Sequence, residues 1–166
     1  MPQPKPKPSE IAAEAKKQYI PYIQQHMTQF RPHSFFFADS ASAPVNPALR
    51  SRQKVKFAVI DGDPVDIAID WYDFVSQKST HPVPRIPVVN MANEKRAGGD
   101  WESGLVAPEE CFCRRSNLVQ NLKTPGTATS TQHYPIPQRG GLYSPTVGMC
   151  LSRQKKSETL LWNAPS

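Results

Sequence analysis

The sequence predicts an α/β fold built on a mainly parallel β-sheet with flanking helices. The main observation is that an apolar segment, a helical segment and a second apolar segment follow one another between residues 56 and 90, in the order of a βαβ unit. Further helix-like and strand-like segments follow in the second half of the chain. The length of 166 residues suits one domain with a core of its own.

The βαβ unit opens with KFAVIDGD, an apolar strand that ends in an Asp-Gly turn signal. Asp63 is placed to cap a helix that begins at Pro64, because proline has no N–H to leave unpaired in the first turn. This explanation is favoured over a carboxylate cluster of Asp61, Asp63 and Asp66. The helix PVDIAIDWYDFVSQ carries an approximate apolar stripe of Val65, Ile69, Trp71 and Phe74.

The second strand of the unit lies in HPVPRIPVVNM, with its core at residues 86–89, and Asn90 closes it. In open α/β sheets, ligands bind beyond the carboxyl ends of the strands. We therefore expect the residues that follow Asn90 to lie at a ligand site.

The other elements are predicted from capping and proline signals. Residues 1–8 form an extended, solvated tail of alternating prolines and polar residues, and Ser9 caps the helix SEIAAEAKKQYI. Pro21 kinks or ends that helix near Ile20, and YIQQHMTQF resumes it. A short strand begins at SFFF, residues 107–122 form a helix, residues 123–141 form a loop, and GLYSPTVGMC begins a further strand.

Composition narrows the class of protein. Eighteen prolines and a mean hydropathy of −0.54 indicate a compact core with substantial loops. The net charge of +6 permits attraction to any polyanion, but the basic residues are scattered and not interleaved with aromatic ones. Three cysteines with a Cys-x-Cys spacing do not fit a zinc site, and they indicate reduced thiols in a cytosolic or nuclear protein. Without an apolar signal region or an apolar run of ~20 residues, neither export nor a membrane span is expected.

Polar residues follow the second predicted strand in NMANEKRAGGD. The amides of Asn90 and Asn93 suit the hydroxyl groups of a sugar, and a simple turn cap explains them as well. Gly98 and Gly99 let the backbone approach a diphosphate, and they are also typical of an ordinary loop. Asp100, next to them, argues against close contact with an anion at its own position.

Two adjacent carboxylates, Glu109 and Glu110, follow Pro108 at the start of the next helix. Proline and acidic residues in a first turn are ordinary chemistry for the start of a helix and account for these residues fully. Successive helical side chains diverge by about 100°, so a functional pair divides its work between orienting a ligand and transferring a proton. A helix N-terminus lowers the pKa of a carboxylate, whereas burial and a neighbouring negative charge raise it toward that of a general acid.

Two further groups are expected to be structural. Arg114, Arg115 and Ser116 are placed on or near the solvated face of the same helix, with one arginine available to support the carboxylates. His133 and Tyr134 are expected to pack the loop that holds them, although such a pair can also stack on a base.

Together, VVNMAN, AGGDWESGLVAPEE and CFCRRSNL resemble the catalytic loop of microbial-type poly(ADP-ribose) glycohydrolases, a branch of the macrodomain superfamily. That family's pattern is an asparagine at a strand end, a Gly-Gly-Gly turn, a short spacer and Gln-Glu-Glu at the start of a helix that continues toward Cys-Arg-Arg-Ser. The likeness covers residues 56–147, from FAVIDGDPVDIAIDW to GGLYSPTV. It implies a macrodomain-like α/β fold with a mixed, mainly parallel sheet and flanking helices.

The resemblance also implies roles for the candidate residues. Glu110 matches the acid that protonates the departing glycosidic oxygen, and Glu109 matches the glutamate that holds ribose hydroxyls. Asn90 and Asn93 match the amides near the distal ribose. Gly98 and Gly99 match the turn that approaches the diphosphate, with Asp100 as the third residue of that turn. No metal and no cofactor are implied.

The chain departs from the family pattern at three places. Asp100 replaces the third glycine, Pro108 replaces the glutamine, and the polar, basic residues 148–166 replace an apolar strand and more sheet. We therefore expect a disordered tail over residues 1–8, a partial glycohydrolase domain over residues 9–147 and a divergent tail over residues 148–166. This domain is expected to be incomplete at its carboxyl end.

The sequence therefore leads first to a glycohydrolase that acts on poly- or mono-ADP-ribose, with little or no activity expected of this short form. Its expected partners are ADP-ribose or an ADP-ribosylated protein, in the cytoplasm or the nucleus. The Asp100 and Pro108 departures favour a second reading, a module that binds ADP-ribose without turnover. A third, a nucleic-acid binder, rests on the net charge alone.

Overall fold

The computed structural model describes residues 5–43, 57–126 and 132–149. These residues form two compact units: one comprises the residues up to Ser40 together with those from Asn90 onward, and the other comprises the residues from Ala41 to Val89. All of the candidate site residues belong to the first unit, which holds most of the helices and both strands.

The first unit opens with helix α1 (Pro8–Glu14), a π-helical turn (Ala15–Tyr19) and helix α2 (Ile20–His26). The N–H of Lys7 donates to Glu10 Oε2 at 2.8 Å, so the predicted Ser9 cap is wrong. The helix begins two residues earlier than a Ser9 cap predicts, because Pro8 lacks an N–H and suits the first turn. The wide π-turn lies just before Pro21, where the missing N–H interrupts the α-helical hydrogen bonding, and α-helix resumes as predicted.

A small antiparallel sheet joins two segments that are far apart in sequence. Strand β1 (Phe35–Phe37) pairs with strand β2 (Gly141–Tyr143), with Phe36 opposite Leu142. Both short strands lie where the sequence predicted them. Two short 3₁₀-helices, Thr28–Phe30 and Ser40–Ser42, flank β1.

The predicted helix of residues 107–122 forms as two helices, α4 (Pro108–Arg115) and α5 (Leu118–Lys123). The break falls at Ser116, whose backbone is extended at φ −152° and ψ 178°. The Ser116 hydroxyl donates to the Phe112 carbonyl at 2.8 Å and accepts from the Leu118 N–H at 3.1 Å, so its side chain closes one helix and opens the next.

The core of the first unit lies between the N-terminal helices, α4 and α5. Its buried residues come from α1 to α2, from the glycine-rich loop and from the two later helices: Ala12, Ala15, Tyr19, Ile20, Trp101, Cys113, Leu118, Val119 and Leu122. Because this core includes Trp101, packing holds the loop that precedes α4 as well as the helix itself.

Two buried asparagines, Asn117 and Asn121, connect the start and middle of α5 by hydrogen bonds to chain segments next to β1 and β2. Asn117 donates to the Phe30 carbonyl at 3.0 Å and accepts from the Gly148 N–H at 2.9 Å. Asn121 accepts from the His33 N–H at 3.1 Å, and its carbonyl accepts from the Ser34 hydroxyl at 2.8 Å. Side-chain amides therefore replace a longer β-ladder in joining these segments.

The second unit contains helix α3 (Pro64–Lys78). Asp63 Oδ1 accepts from the N–H groups of Val65 at 2.8 Å and Asp66 at 3.1 Å, which confirms the predicted cap and the start at Pro64. The predicted apolar stripe is only partly buried. Val65 is enclosed, whereas Trp71 and Phe74 are exposed and contact each other with ring centroids 5.9 Å apart.

The two predicted strands of the βαβ unit are not formed in the described residues. Residues 57–60 and 86–89 have no regular secondary structure, and the side chains of Phe57 and Val59 are almost fully exposed. In the second segment, Pro82, Pro84 and Pro87 remove N–H groups that a central strand needs. The described sheet is thus small and antiparallel, and a mainly parallel sheet is not observed within it.

In the described residues, no helix is both long enough and apolar enough to cross a membrane. The predicted divergent tail lies outside the described residues after Met149, as does the start of the N-terminal tail before Lys5.

We predict that Asn117→Ala destabilises the first unit by about 2–4 kcal/mol, because it removes the hydrogen bond to the Phe30 carbonyl and leaves the buried Gly148 N–H without its acceptor. Chemical denaturation followed by circular dichroism measures the change. Gln120→Ala is the matched control, since Gln120 lies on the helix that Asn117 precedes and its side chain bonds to Gln24 at the surface. Equal losses in the two variants would contradict the role of Asn117.

Candidate functional site

The candidate site centres on two carboxylates in the first turn of α4. Glu109 is 2% exposed and Glu110 is 6% exposed, although acidic residues in a first turn normally face water. Pro108 occupies the first helical position as predicted. Ordinary helix-start chemistry accounts for the sequence positions of these residues but not for their burial, so both carboxylates need partners inside the protein.

Glu109 receives its partners from the loop that precedes α4. The Asn93 N–H donates to Glu109 Oε2 at 2.6 Å and the Gly98 N–H donates to Oε1 at 3.1 Å. The side chain of Asn90 is a third hydrogen-bond partner. The structure thus brings Asn90, Asn93 and Gly98 around one carboxylate, and both of its oxygens are engaged.

Glu110 is held less completely. The Asp100 N–H donates to Glu110 Oε1 at 3.1 Å. The other oxygen, Oε2, has no hydrogen-bond partner in the described part of the chain. Of the two buried carboxylates, Glu110 is therefore the one with an oxygen left for a ligand.

Two positions of the loop, Gly98 and Gly99, have no room for a side chain. Gly98 has φ +78° and Gly99 has φ +53°, a backbone region that other residues rarely adopt. A Cβ on Gly99 would lie 2.4 Å from Glu110 Oε1, and one on Gly98 would lie 2.9 Å from Trp101 Cδ1. Glycine at both positions lets the chain turn closely around the carboxylates.

The side chains of the loop's polar residues shape its outer turn. Asn93 Oδ1 accepts from the N–H groups of Lys95 at 2.9 Å and Arg96 at 3.1 Å, so the turn-cap explanation for Asn93 holds for its oxygen. Asp100, at the third position of the glycine turn, forms an exposed ion pair with Arg96 four residues before it.

Arg114 supports the loop from the opposite side. Its guanidinium donates to the Trp101 carbonyl at 2.8 Å and to the Leu105 carbonyl at 2.7 Å. The prediction that Arg114, Arg115 and Ser116 lie on a solvated helix face is wrong, because all three are buried. The loop folds over this face and supplies carbonyl partners that periodicity alone does not reveal.

Burial dominates the electrostatics of the site. It raises the pKa of Glu109, and the charge of Glu110 acts in the same direction, while hydrogen bonds from Asn93, Gly98 and Asn90 oppose the rise. Burial also raises the pKa of the Cys113 thiol, and the two glutamates add to that rise. Cys113 is therefore a packing residue and not a thiolate at neutral pH.

The loop after α5 contributes packing to the site. His133 Nδ1 lies 2.7 Å from the Leu122 carbonyl and its ring stacks on Phe36, so the expectation of a packing role is confirmed. Tyr134 packs against the core, and its pKa is raised by burial and by the negative charge of Glu109. Among the described residues, no group of three or more His, Cys, Asp or Glu side chains is placed to hold a metal ion.

The structure thus brings together the candidate site residues that the sequence predicted: Asn90, Asn93, Gly98, Gly99, Asp100, Glu109 and Glu110. The sequence did not reveal that Trp101 lies in the core, that Arg96 pairs with Asp100 or that Arg114 is buried. Helical spacing predicts part of the position of Arg114. Arg114 lies four residues after Glu110, so the two side chains share one face of the helix.

A comparison with protein families shows that the family described as microbial-type PARG, catalytic domain, matches residues 10–151. The match extends over the N-terminal helices as well as the segments that carry the resemblance. Comparisons with curated proteins and with solved structures give no match.

We predict that Gly99→Ala disorders the loop around Glu110, because it adds a clash with Oε1 to the cost of a left-handed backbone, roughly 1–2 kcal/mol by itself. Gly104→Ala is the control, since Gly104 also has a positive φ but the nearest atom to its added Cβ is 3.9 Å away. Hydrogen exchange at the Asp100 amide should accelerate in the first variant much more than in the second. Similar exchange in both would show that no clash occurs.

We predict that Glu109 makes stability depend on pH. Its pKa is raised above the ordinary 4.5, so between that value and the folded-state pKa the folded protein binds more protons than the unfolded chain. The free energy of unfolding therefore falls as pH rises through this window. Melting curves of the wild type and of Glu109→Gln should show this fall only in the wild type. Glu102→Gln, which removes an exposed carboxylate, controls for net charge.

Proposed function

Because this chain belongs to the family of microbial-type poly(ADP-ribose) glycohydrolase catalytic domains, we propose that its buried glutamate pair hydrolyses ribose glycosidic bonds of ADP-ribose attached to a protein or in a polymer. The family implies ADP-ribose glycohydrolase activity in general. The observation that carries the proposal for this chain is the pair itself, two adjacent carboxylates held out of water by one glycine-rich loop.

Glu110 is the general acid of this proposal. Its proton passes to the glycosidic oxygen as the bond between that oxygen and the anomeric carbon breaks, and the ribose takes on oxocarbenium character. A water molecule then bonds to the anomeric carbon and gives its extra proton to the Glu110 carboxylate, which restores the acid. The products are free ADP-ribose, or a shorter polymer, and the released acceptor group.

The division of roles between the glutamates follows from their contacts. Both oxygens of Glu109 face the loop's N–H groups, whereas Oε2 of Glu110 is uncommitted among the described residues. Burial and the charge of Glu110 raise the pKa of Glu109, which favours a proton on the Glu109 carboxyl. Glu110 is the member whose uncommitted oxygen is placed to deliver a proton to the ligand.

Sugar recognition is assigned to the residues around Glu109. Asn90 and Asn93 contact this carboxylate, and their side-chain N–H groups are the donors proposed for the hydroxyls of the distal ribose. Glu109 orients ribose hydroxyls through lone pairs that the loop leaves open. Gly98 and Gly99 bring the backbone close to the ligand, which remains a proposal for both glycines, as does a ligand contact of Asp100.

We also propose a fold, a partner and a cellular compartment for this chain. We assign residues 9–147 to a macrodomain-like domain with a mainly parallel sheet. The family match supports that assignment, although the strands described are two and antiparallel. ADP-ribose or an ADP-ribosylated protein is the partner, and the cytoplasm or nucleus is the compartment. Weak turnover by this form of 166 residues also remains a prediction.

A second function, binding of ADP-ribose without turnover, is favoured by one departure from the family pattern. Pro108, the first residue of α4, stands where the family has glutamine and supplies no side-chain amide beside the glutamate pair. The two functions differ in a direct measurement. A hydrolase releases ADP-ribose from a modified protein, whereas a reader binds free ADP-ribose and leaves the modified protein intact.

We predict that Glu110→Gln lowers the rate of ADP-ribose release by roughly 10²-fold or more, the usual contribution of a general acid, and leaves ADP-ribose affinity within about tenfold. Release from an ADP-ribosylated protein measures the rate, and isothermal titration measures the affinity. Glu102→Gln, an exposed change on the same loop, should alter neither. A variant at position 110 with a near-normal rate would contradict the assignment of the acid.

A further inference from the structure

The main-chain N–H groups of the glycine turn are already engaged within the protein. Gly98 donates to Glu109, Asp100 donates to Glu110, Gly99 donates to the Arg96 carbonyl at 3.3 Å and Trp101 donates to the Gly98 carbonyl at 3.1 Å. An anion that approaches this turn therefore finds no consecutive free amides of the kind that usually bind phosphate. Binding there has to come from side chains.

The turn also lies against two buried carboxylates, which repel an anionic ligand. A ligand with a diphosphate needs a cation close to this charge. Arg96 is that cation, because it contacts Asp100, and the main-chain N–H of Asp100 bonds to Glu110. The guanidinium and the proposed acid thus share Asp100 as a neighbour, and the guanidinium offers a planar fork that matches two phosphate oxygens.

The Arg96 side chain is anchored but not buried. Asn93 Oδ1 accepts from its main-chain N–H at 3.1 Å, and its carbonyl accepts from Gly99, so its backbone is fixed in the turn. Its side chain is 60% exposed and that of Asp100 is 50% exposed. An exposed ion pair of this kind is weak and exchanges easily for a better partner.

We propose that Arg96 binds a phosphate group of the ligand and that Asp100 competes with that phosphate for the same guanidinium. When the ligand binds, the guanidinium leaves the Asp100 carboxylate and pairs with the phosphate oxygens. Asp100 therefore lowers the affinity for any phosphate-bearing ligand at this turn. The assignment rests on the proposed function for the identity of the ligand as ADP-ribose, but not for the exchange of carboxylate for phosphate.

The two variants that test this proposal change affinity in opposite directions. Arg96→Gln should weaken ADP-ribose binding by about tenfold or more, the usual effect of losing a charged hydrogen-bond partner. Asp100→Ala should strengthen it by about two- to fivefold, the typical value of an exposed ion pair. In the double variant the gain from Asp100→Ala should disappear, because no guanidinium remains to be released.

Neighbouring charges supply the matched controls. Lys95→Gln removes a cation and Glu94→Gln removes an anion from the same exposed stretch. If general electrostatics explained the results, each control would act like its partner variant, and that outcome would overturn the proposal. Arg96→Lys keeps the charge but not the fork, so it should recover only part of the affinity.

Titrations of every variant with ADP-ribose and with inorganic pyrophosphate separate this proposal from the proposed function. Opposite and non-additive effects with both ligands support the exchange at Arg96. The same pattern with pyrophosphate, but no binding of ADP-ribose, would overturn the proposed function and leave the Arg96 site standing. Binding of ADP-ribose by the wild type that is indifferent to Arg96→Gln would overturn the Arg96 site alone. No binding of either ligand would overturn both.

Discussion

The site depends on hydrogen bonds between two buried carboxylates and the N–H groups of the loop that precedes them. Asn93 and Gly98 donate to Glu109, and Asp100 donates to Glu110. A carboxylate removed from water is costly unless it is hydrogen-bonded, so the loop cannot leave without exposing or orphaning both acids. Conversely, the loop has no regular secondary structure and takes its shape from these acceptors. The buried carboxylates and the loop therefore stabilise each other.

The same constraint explains the neighbouring residues. Glycine occurs where a side chain would enter the space of the carboxylates, and Trp101 anchors the loop in the core. Arg114 holds the outer limb of the loop through two carbonyls, so acceptors as well as donors of this irregular segment are satisfied. The N–H groups of residues 98–101 are engaged within the protein, so this turn has little backbone left for recognising a ligand. In the proposed site, side chains on the outer surface of the loop recognise the ligand.

The sequence predicted the local features well, because capping and turn chemistry act over a few residues. Asp63, Pro64 and Pro108 stand where their chemistry places them, and the two short strands form at FFF and GLY. The site residues were found because the motif keeps them close along the chain. Where the structure describes the chain, the predicted parallel strands do not form, since an apolar run shows a tendency to be buried but not the presence of a partner strand. Arg114 was misplaced for a related reason: its partners are carbonyls of an irregular loop, which no periodicity encodes.

The buried asparagines of α5 have a consequence for the order in which the chain acquires its structure. Asn117 holds Phe30 and Gly148, and Ser34 lies 2.6 Å from Ser144 across 110 residues of sequence. Contacts between such distant segments close slowly, and during synthesis they close only after the later segment has emerged. Helix α4 meets α5 at Ser116, and Cys113 of α4 shares the core with Leu118 and Val119 of α5, so the glutamate pair lies on a helix that packs against this region. The bridge from Phe30 through Asn117 to Gly148 can therefore form only after the ribosome has passed residue 148.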